Sequence, residues 1–293
     1  MDKSASSMLL SFSAVLALCI GCGKPEPPPE PASNEPPKPL VMVTEAGFPP
    51  YEYVENGEVV GVDVDICRTI ADKLGRPLVV VSTNFDAIVE TLRYGNADLA
   101  AAGITVTEER KEILDFSMPY ATSGIVIISK KGAEYKDIAS AKGKRIGVQS
   151  GTTSDHFCTE ELEVVPQRFD TPKLAAEALK AGKVDMIIVD IDPARNIAGN
   201  DETLVISSEL LCMEEFAIAV KKGSAELLAS INETLESMLH NGKVYASLAK
   251  HVAHCAYDFK PASTPSEAAA AEAAAEAEAN AAAETAEKTP MEQ

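Results

Sequence analysis

The chain has no tryptophan and only four histidines in 293 residues. No His or Cys pair stands at metal-ligand spacing. The nearest, His251-Val252-Ala253-His254-Cys255, would put His251 and His254 on one helix face, where a solvated pair is the expectation. A metal centre is therefore not expected. Positive charge is also scarce: 26 Lys and Arg stand against 45 Asp and Glu, for a formal net charge of -19. That balance argues against nucleic acid or an anionic membrane surface as a partner. A hydrophobic run of membrane-spanning length is missing too, since the apolar run Met8 to Ile20 is too short.

What that run does suggest is export. Lys3, the run itself and Gly21-Cys22 read as a signal peptide over residues 1–21. Cys22 is then a lipoprotein processing site and the lipid-bearing first residue; Cys19 stands where Leu is usual. An ordinary secretory peptide with two incidental cysteines is the competing reading. Residues 22–38 are rich in Pro and Glu and make an extended tether. Residues 261–293 are mostly Ala and Glu, with helix propensity but no apolar stripe to pack, so a disordered tail is expected there. The expected location is the periplasm or cell surface, with a lipid anchor to a bacterial membrane.

The stretch between is long enough for two lobes, each with its own core. Leu40 to Thr44, Leu78 to Val81 and Asp98 to Ala102 read as buried strands. Asp63 or Asp65 caps a helix carrying Ile66, Ile70 and Leu74, closed by Gly75. Phe85 to Tyr94 is a second helix. A similar rhythm restarts after Ile125: a strand at Arg145 to Gln149, a helix from Pro172, a strand at Met186 to Val189, and a helix capped by Asp192 with Pro193 at its first position. Strands alternating with helices predict α/β lobes with mostly parallel sheets.

The segment Gly103 to Arg110 carries the most chemistry. Thr107 is a suitable N-cap, and Glu108 and Glu109 suit a helix start, but Arg110 opposes the dipole there. Either it pairs with Glu109 or Asp115 on a wet face, or it joins the Thr105 hydroxyl and the helix N-terminus around a small anion, gripping a carboxylate in bidentate fashion. Asp190 is similarly two-sided: a cap for the next helix, or an acceptor for a cation.

Taken in order, Glu45-Ala46-Gly47-Phe48-Pro49-Pro50-Tyr51, Gly61-Val62-Asp63-Val64-Asp65-Ile66, Gly103 to Arg110, Gln149-Ser150-Gly151-Thr152-Thr153 and Val189-Asp190 resemble the polar amino-acid-binding proteins of ABC importers, solute-binding protein family 3. Val62 departs from the usual Phe or Tyr. The resemblance implies a two-lobed periplasmic-binding-protein fold with a two-strand hinge. Lobe 1 would comprise residues 39–120 plus 214–260, and lobe 2 residues 121–213, with crossings near Tyr120 to Gly124 and Met213 to Phe216. It implies that Arg110 and the Thr153 N–H hold a ligand carboxylate, and that Asp190, the Gly103 carbonyl and the Thr105 hydroxyl hold an ammonium. Phe48 and Phe85 would be walls of the pocket, with Tyr51 structural. It implies an ABC permease in the inner membrane as partner and no cofactor. Disulfides would pair Cys67 with Cys255 and Cys158 with Cys212, free buried thiols being the alternative.

Glu45 would face the ligand's side chain, repelling Glu and Asp and welcoming a guanidinium, ammonium or amide, with Gln149 adding an amide contact. The expected ligand is a basic L-amino acid (arginine, lysine, ornithine or histidine), then glutamine. Two rivals remain: a cyclohexadienyl or arogenate dehydratase on the same fold, with Glu45 as general acid, and a ligand-sensing receptor module.

Overall fold

The computed structural model describes residues 36–135, 137–199 and 201–252. The signal peptide, Cys22, most of the tether, His254, Cys255 and the tail lie outside the described residues.

The chain opens with strand β1 (Leu40–Thr44). A small antiparallel sheet of β2 (Gly47–Phe48), β3 (Glu52–Glu55) and β4 (Glu58–Val60) follows. It delivers the chain into helix α1 (Val62–Lys73). Here the structure corrects the expected cap. Gly61 holds the N-cap position at φ 137°, and neither Asp63 nor Asp65 caps. The reason is tertiary: the Val62 and Asp63 N–H groups are taken by the Pro50 and Tyr51 carbonyls at 3.1 and 3.0 Å. A Cβ on Gly61 would lie 2.0 Å from the Tyr51 oxygen, so only glycine fits.

Next come β5 (Leu78–Ser82), a 3-10 turn at Phe85–Ala87, α2 (Ile88–Arg93) and β6 (Leu99–Ala100), which is shorter than the expected strand. Helix α3 (Glu108–Ile113) and β7 (Leu114–Phe116) follow. The long strand β8 (Ala121–Lys130) then starts the second lobe. That lobe contains β9 (Ile146–Gln149), α4 (Thr153–His156, continued by a π-helical turn to Glu161), β10 (Gln167–Phe169), α5 (Pro172–Lys180), β11 (Met186–Asp190), α6 (Ile191–Ala198), β12 (Leu204–Ile206) and β13 (Cys212–Phe216). The chain closes the first lobe with β14 (Ala219–Lys221), α7 (Ala225–His240) and α8 (Lys243–Val252).

Helix α6 begins at Ile191, two residues before Pro193, which is therefore its third residue rather than its first. Proline is tolerated there because the first four helical N–H groups have no partner within the helix.

The first sheet has the order β5-β1-β6-β14-β7, the second β10-β9-β11-β8-β12, with β13 also on β8. Pairs β1–β5, β1–β6, β9–β10 and β9–β11 are parallel; the pairings made by β8 and β14 are antiparallel. Both faces of each sheet are covered. Met42 and Leu99 pack on one face of the first sheet, Val43 and Ala100 on the other. Val126 and Ile187 do the same opposite Ile125 and Ile188 in the second. Double coverage explains why these strands read as unbroken apolar runs.

Strands β8 and β13 run side by side, from Ala121↔Phe216 to Ile125↔Cys212. Phe216 belongs to a first-lobe core, whereas Ile125 and Cys212 pack in a second-lobe core. Each strand is thus clamped in a different lobe at each end. No described helix is long and apolar enough to cross a membrane.

Candidate functional site

Arg110 lies in the first turn of α3, where Thr107 accepts its backbone N–H at 3.2 Å. Its side chain is buried, at 8 % exposure. One guanidinium nitrogen donates to the Thr105 carbonyl at 2.8 Å and another to the Gly151 carbonyl at 3.1 Å, while the group lies 5.5 Å from the centre of the Phe85 ring. The wet-face pairing is excluded: Asp115 instead takes Lys222 at 2.9 Å and the Gly223 N–H at 2.7 Å. Burial pushes the Arg110 pKa down from its ordinary value, and the carboxylates of Glu214, Glu109 and Asp190 oppose that shift. A guanidinium keeps its proton under either influence.

The loop before α3 owes its path to Gly103. Its φ of +53° is left-handed, its N–H donates to the Asp63 carboxylate at 3.0 Å, and an added Cβ would come within 2.9 Å of the Phe48 ring. Phe48 also meets Tyr51 and Phe216 edge-on or tilted, at 6.0 and 6.2 Å. Thr105 is buried and bridges to Phe216 of β13.

From the second lobe, Gln149 ends β9 and its amide donates to the Asp170 carbonyl at 3.0 Å and toward Glu45 at 3.5 Å. Glu45 is buried, which raises its pKa; the contacts with Gln149 and Gly47 pull it back. Thr152 caps α4, leaving Thr153 as the first helical residue.

Asp190 occupies the N-cap position of α6, yet its side chain makes no capping bond. It is 7 % exposed and accepts from Ser123 at 3.4 Å. Burial raises its pKa well above the carboxylate range, with Glu214 and then Asp192 adding to the effect. Glu214 is a buried acid that the motifs do not single out, although the strand pattern carries a signal for it. Counting in twos back from Phe216 along β13 puts Glu214 on the inner side, and both residues are buried.

A cavity of about 410 Å³ is lined by Thr105, Arg110, Thr153 and Glu214, with Glu109 and His156 toward its rim. Phe85 stacks near Arg110, Phe48 backs Gly103, and Asp190 faces Glu214. Glu45 and Gln149 meet each other but, like Gly103, Phe48, Phe85 and Asp190, are not among the residues lining this cavity. Further contacts join the lobes, among them Tyr51 to Asp192 at 3.1 Å and Ser150 to Asp86 at 3.3 Å. Beneath the site, Glu52, Asp63 and Tyr120 are enclosed together. Burial lifts the Asp63 pKa to about 6, despite favourable bonds from Tyr120, Gly103 and Glu52.

One expectation fails, and one open choice, disulfides or free thiols, is decided for three cysteines. His251 is not solvated: it is 3 % exposed, between the Tyr53 hydroxyl and the Asp65 carboxylate, each at 3.0 Å, because α8 packs back onto α1. Cys67, Cys158 and Cys212 are free thiols, so the Cys158–Cys212 bridge is absent, and Cys67 is unbridged as well. Cys67 and Cys158 are buried among apolar neighbours. Among the described residues no group of His, Cys, Asp and Glu could hold a metal ion.

Two lobes, joined by paired strands and closing on a buried arginine and acidic groups, define a clasping receptor for a small charged molecule. The profile of the bacterial extracellular solute-binding proteins, family 3, matches residues 40–254, and the chain belongs to that family. It is 32 % identical over 213 residues to the arginine-binding extracellular protein ArtP of Bacillus subtilis, covering 71 % of this chain and 83 % of the relative. It is 29 % identical over 212 residues to the L-cystine-binding protein TcyJ of Escherichia coli K12, covering 71 % and 80 %. A crystal structure of a mutant of ArgBP from T. maritima superposes with a TM-score of 0.70 at 35 % identity, covering 73 % of this chain and 95 % of that one. These relatives are solute-binding proteins rather than enzymes.

Proposed function

We propose that this protein is the substrate-binding component of an amino-acid ABC importer and that it takes a free basic L-amino acid between its lobes. The observation that carries this is Arg110, a buried cation reaching from the first lobe to the Gly151 loop of the second, opposite the buried acids Asp190 and Glu214. A zwitterion fits that polarity. Its carboxylate takes Arg110 and the Thr153 N–H, and its ammonium takes Asp190, Thr105 and the Gly103 carbonyl. Phe48 and Phe85 flank it. Glu45, with Gln149, meets the far end of the side chain, and a carboxylate there favours arginine, lysine, ornithine or histidine over acidic ligands. Arginine-binding relatives and arginine-bound neighbours support the same class.

The hinge is assigned to 120–124 and 213–216, and the lobes to 39–120 with 214–260 and to 121–213. The permease is the partner on the membrane side. Gly21-Cys22 supports export and a lipid anchor on Cys22, held to the membrane through the 22–38 tether. Cys22→Ala should move the protein from the membrane fraction to the soluble one; unchanged partition would remove the anchor.

The functional test is a thermal-shift screen of the purified protein against the twenty amino acids, ornithine and L-cystine. A ligand at a hundred times its Kd stabilises by about 2.7 kcal/mol. A screen in which no amino acid shifts the melting point would overturn the proposal.

A further inference from the structure

We infer that Glu214 and Asp190 form one composite ammonium site, which holds a proton until the ligand's ammonium displaces it, so that binding releases a proton to solvent. This rests on the amino-acid-binding reading above and deepens it.

The placement follows from register. Strand β8 lies between β11 and β13, with Asp190 opposite Ile125 and Glu214 opposite Ser123. Residues 123 and 125 share a face of β8, so Asp190, Ser123 and Glu214 project on one side of the sheet. Ser123 bonds Asp190, and the Glu214 carboxyl lies close enough to push the Asp190 pKa up. Glu214 is 4 % exposed and lines the cavity, yet neither of its oxygens has a hydrogen-bond partner among the described residues. Two buried carboxylates have only acceptors to offer each other. They make a bond when one of them carries a proton, and like charges this close oppose ionisation of both.

Among the described residues no cation forms an ion pair with Asp190 or Glu214. Arg110 feels both carboxylates, but it is committed to the Thr105 and Gly151 carbonyls. From α6, Asp192 adds negative charge; from α3, Glu109 does; from β3, Glu52 does. Cys212 on β13 is a half-buried thiol with its pKa pushed up to about 11. His156 on α4 sits at the rim beside Glu109 and Glu160, at 3.8 and 3.7 Å. An ammonium brings three N–H donors and a full positive charge, and can donate to Asp190 and Glu214 at once. Both carboxyls are then ionised, and the proton they shared leaves for the buffer.

The sign follows from linkage. A proton held by the free protein and lost in the complex makes affinity rise with pH, by up to about tenfold per unit across the range where the free pair is protonated. The test is titration calorimetry with L-arginine between pH 5 and 7, in buffers of different ionisation enthalpy, using L-glutamine where arginine gives no heat. The expected wild-type result is net proton release, with affinity rising with pH. Glu214→Gln should still bind, with release falling toward zero and a flat pH profile. Wild-type binding without proton release anywhere in that range overturns the inference and leaves the amino-acid reading standing. A Glu214→Gln protein that releases as many protons as wild type also overturns it. Absence of binding by either amino acid overturns both. The wild-type measurement decides alone should the variant fail to fold.

Discussion

At the scale of single residues, the proposed complex divides its work between fixed and variable parts of the ligand. Arg110 and Asp190 face groups every α-amino acid has. Arg110→Ala or Asp190→Ala should cost about 2–5 kcal/mol, the range for truncating one partner of a buried charge pair. Wild-type Kd in either variant would remove that residue from the site. Glu45→Gln should instead reorder the ligands, costing arginine or lysine about 1.5–3 kcal/mol and glutamine less, since an amide can still bond an amide. An unchanged ranking across basic, neutral and acidic amino acids would show that Glu45 does not read the side chain. The buried acids also set a pH dependence of stability. Burial raises the pKa values of Glu45, Glu52, Asp63 and Asp190, Asp63 to about 6. Between the ordinary carboxylate range and about pH 6 the folded chain therefore holds more protons than the unfolded one, and stability falls as pH rises. Asp65, Asp115, Asp185 and Asp201, with lowered pKa values, act oppositely and withdraw their support only in stronger acid. Urea unfolding should give a higher midpoint at pH 5 than at pH 7, and Asp63→Asn should narrow the difference, its amide oxygen still accepting the Gly103 N–H. Equal midpoints in the wild type would refute the argument.

At the scale of elements, what the sequence revealed is what local pattern decides. Thr107 caps α3, accepting an N–H three residues on. The core strands announced themselves as apolar runs. Where the sequence misled, the deciding partner came from far along the chain. Asp63 looked like a cap because the Pro50 and Tyr51 carbonyls that occupy the first N–H groups of α1 cannot be foreseen from its own residues. His251 looked solvated because Asp65, its acceptor, is 186 residues away. Glu214 was hidden because its meaning lies across β8, in Asp190. Asp190 itself could be read as cap or acceptor, and only the missing capping bond separates the two. The junction before α1 carries a sharp prediction. Gly61→Ala forces a positive-φ extended conformation open essentially to glycine alone, worth about 1–3 kcal/mol, and also drives a methyl into the Tyr51 carbonyl. Its unfolding free energy should fall by more than about 2 kcal/mol, read from urea midpoints at constant slope. A loss within experimental error would mean that the β4–α1 turn yields freely.

At the scale of the whole molecule, function depends on relative motion of the lobes and on the field that brings the ligand in. Each strand of the β8–β13 pair is held in one core at one end and in the other core at the other, so bending is confined to the short stretch between. Closure should shrink the radius of gyration in solution scattering when L-arginine is added, and no change at saturation would count against a hinge. The field is the molecule's own charge. With a formal net charge of -19 and acidic Glu109, Glu160 and Glu161 at the cavity rim, a cationic ligand is drawn toward the cleft, while a neutral zwitterion feels little net force. Raising salt from about 0.01 to 1 M cuts the Debye length from about 30 to 3 Å. Stopped-flow association of L-arginine should therefore slow severalfold over that range, while that of L-glutamine changes little. The dissociation rate, governed by buried contacts that salt reaches poorly, should change less than the arginine on-rate. If arginine associates equally fast at both extremes, long-range attraction plays no part in capture, and the acidic surface needs another explanation.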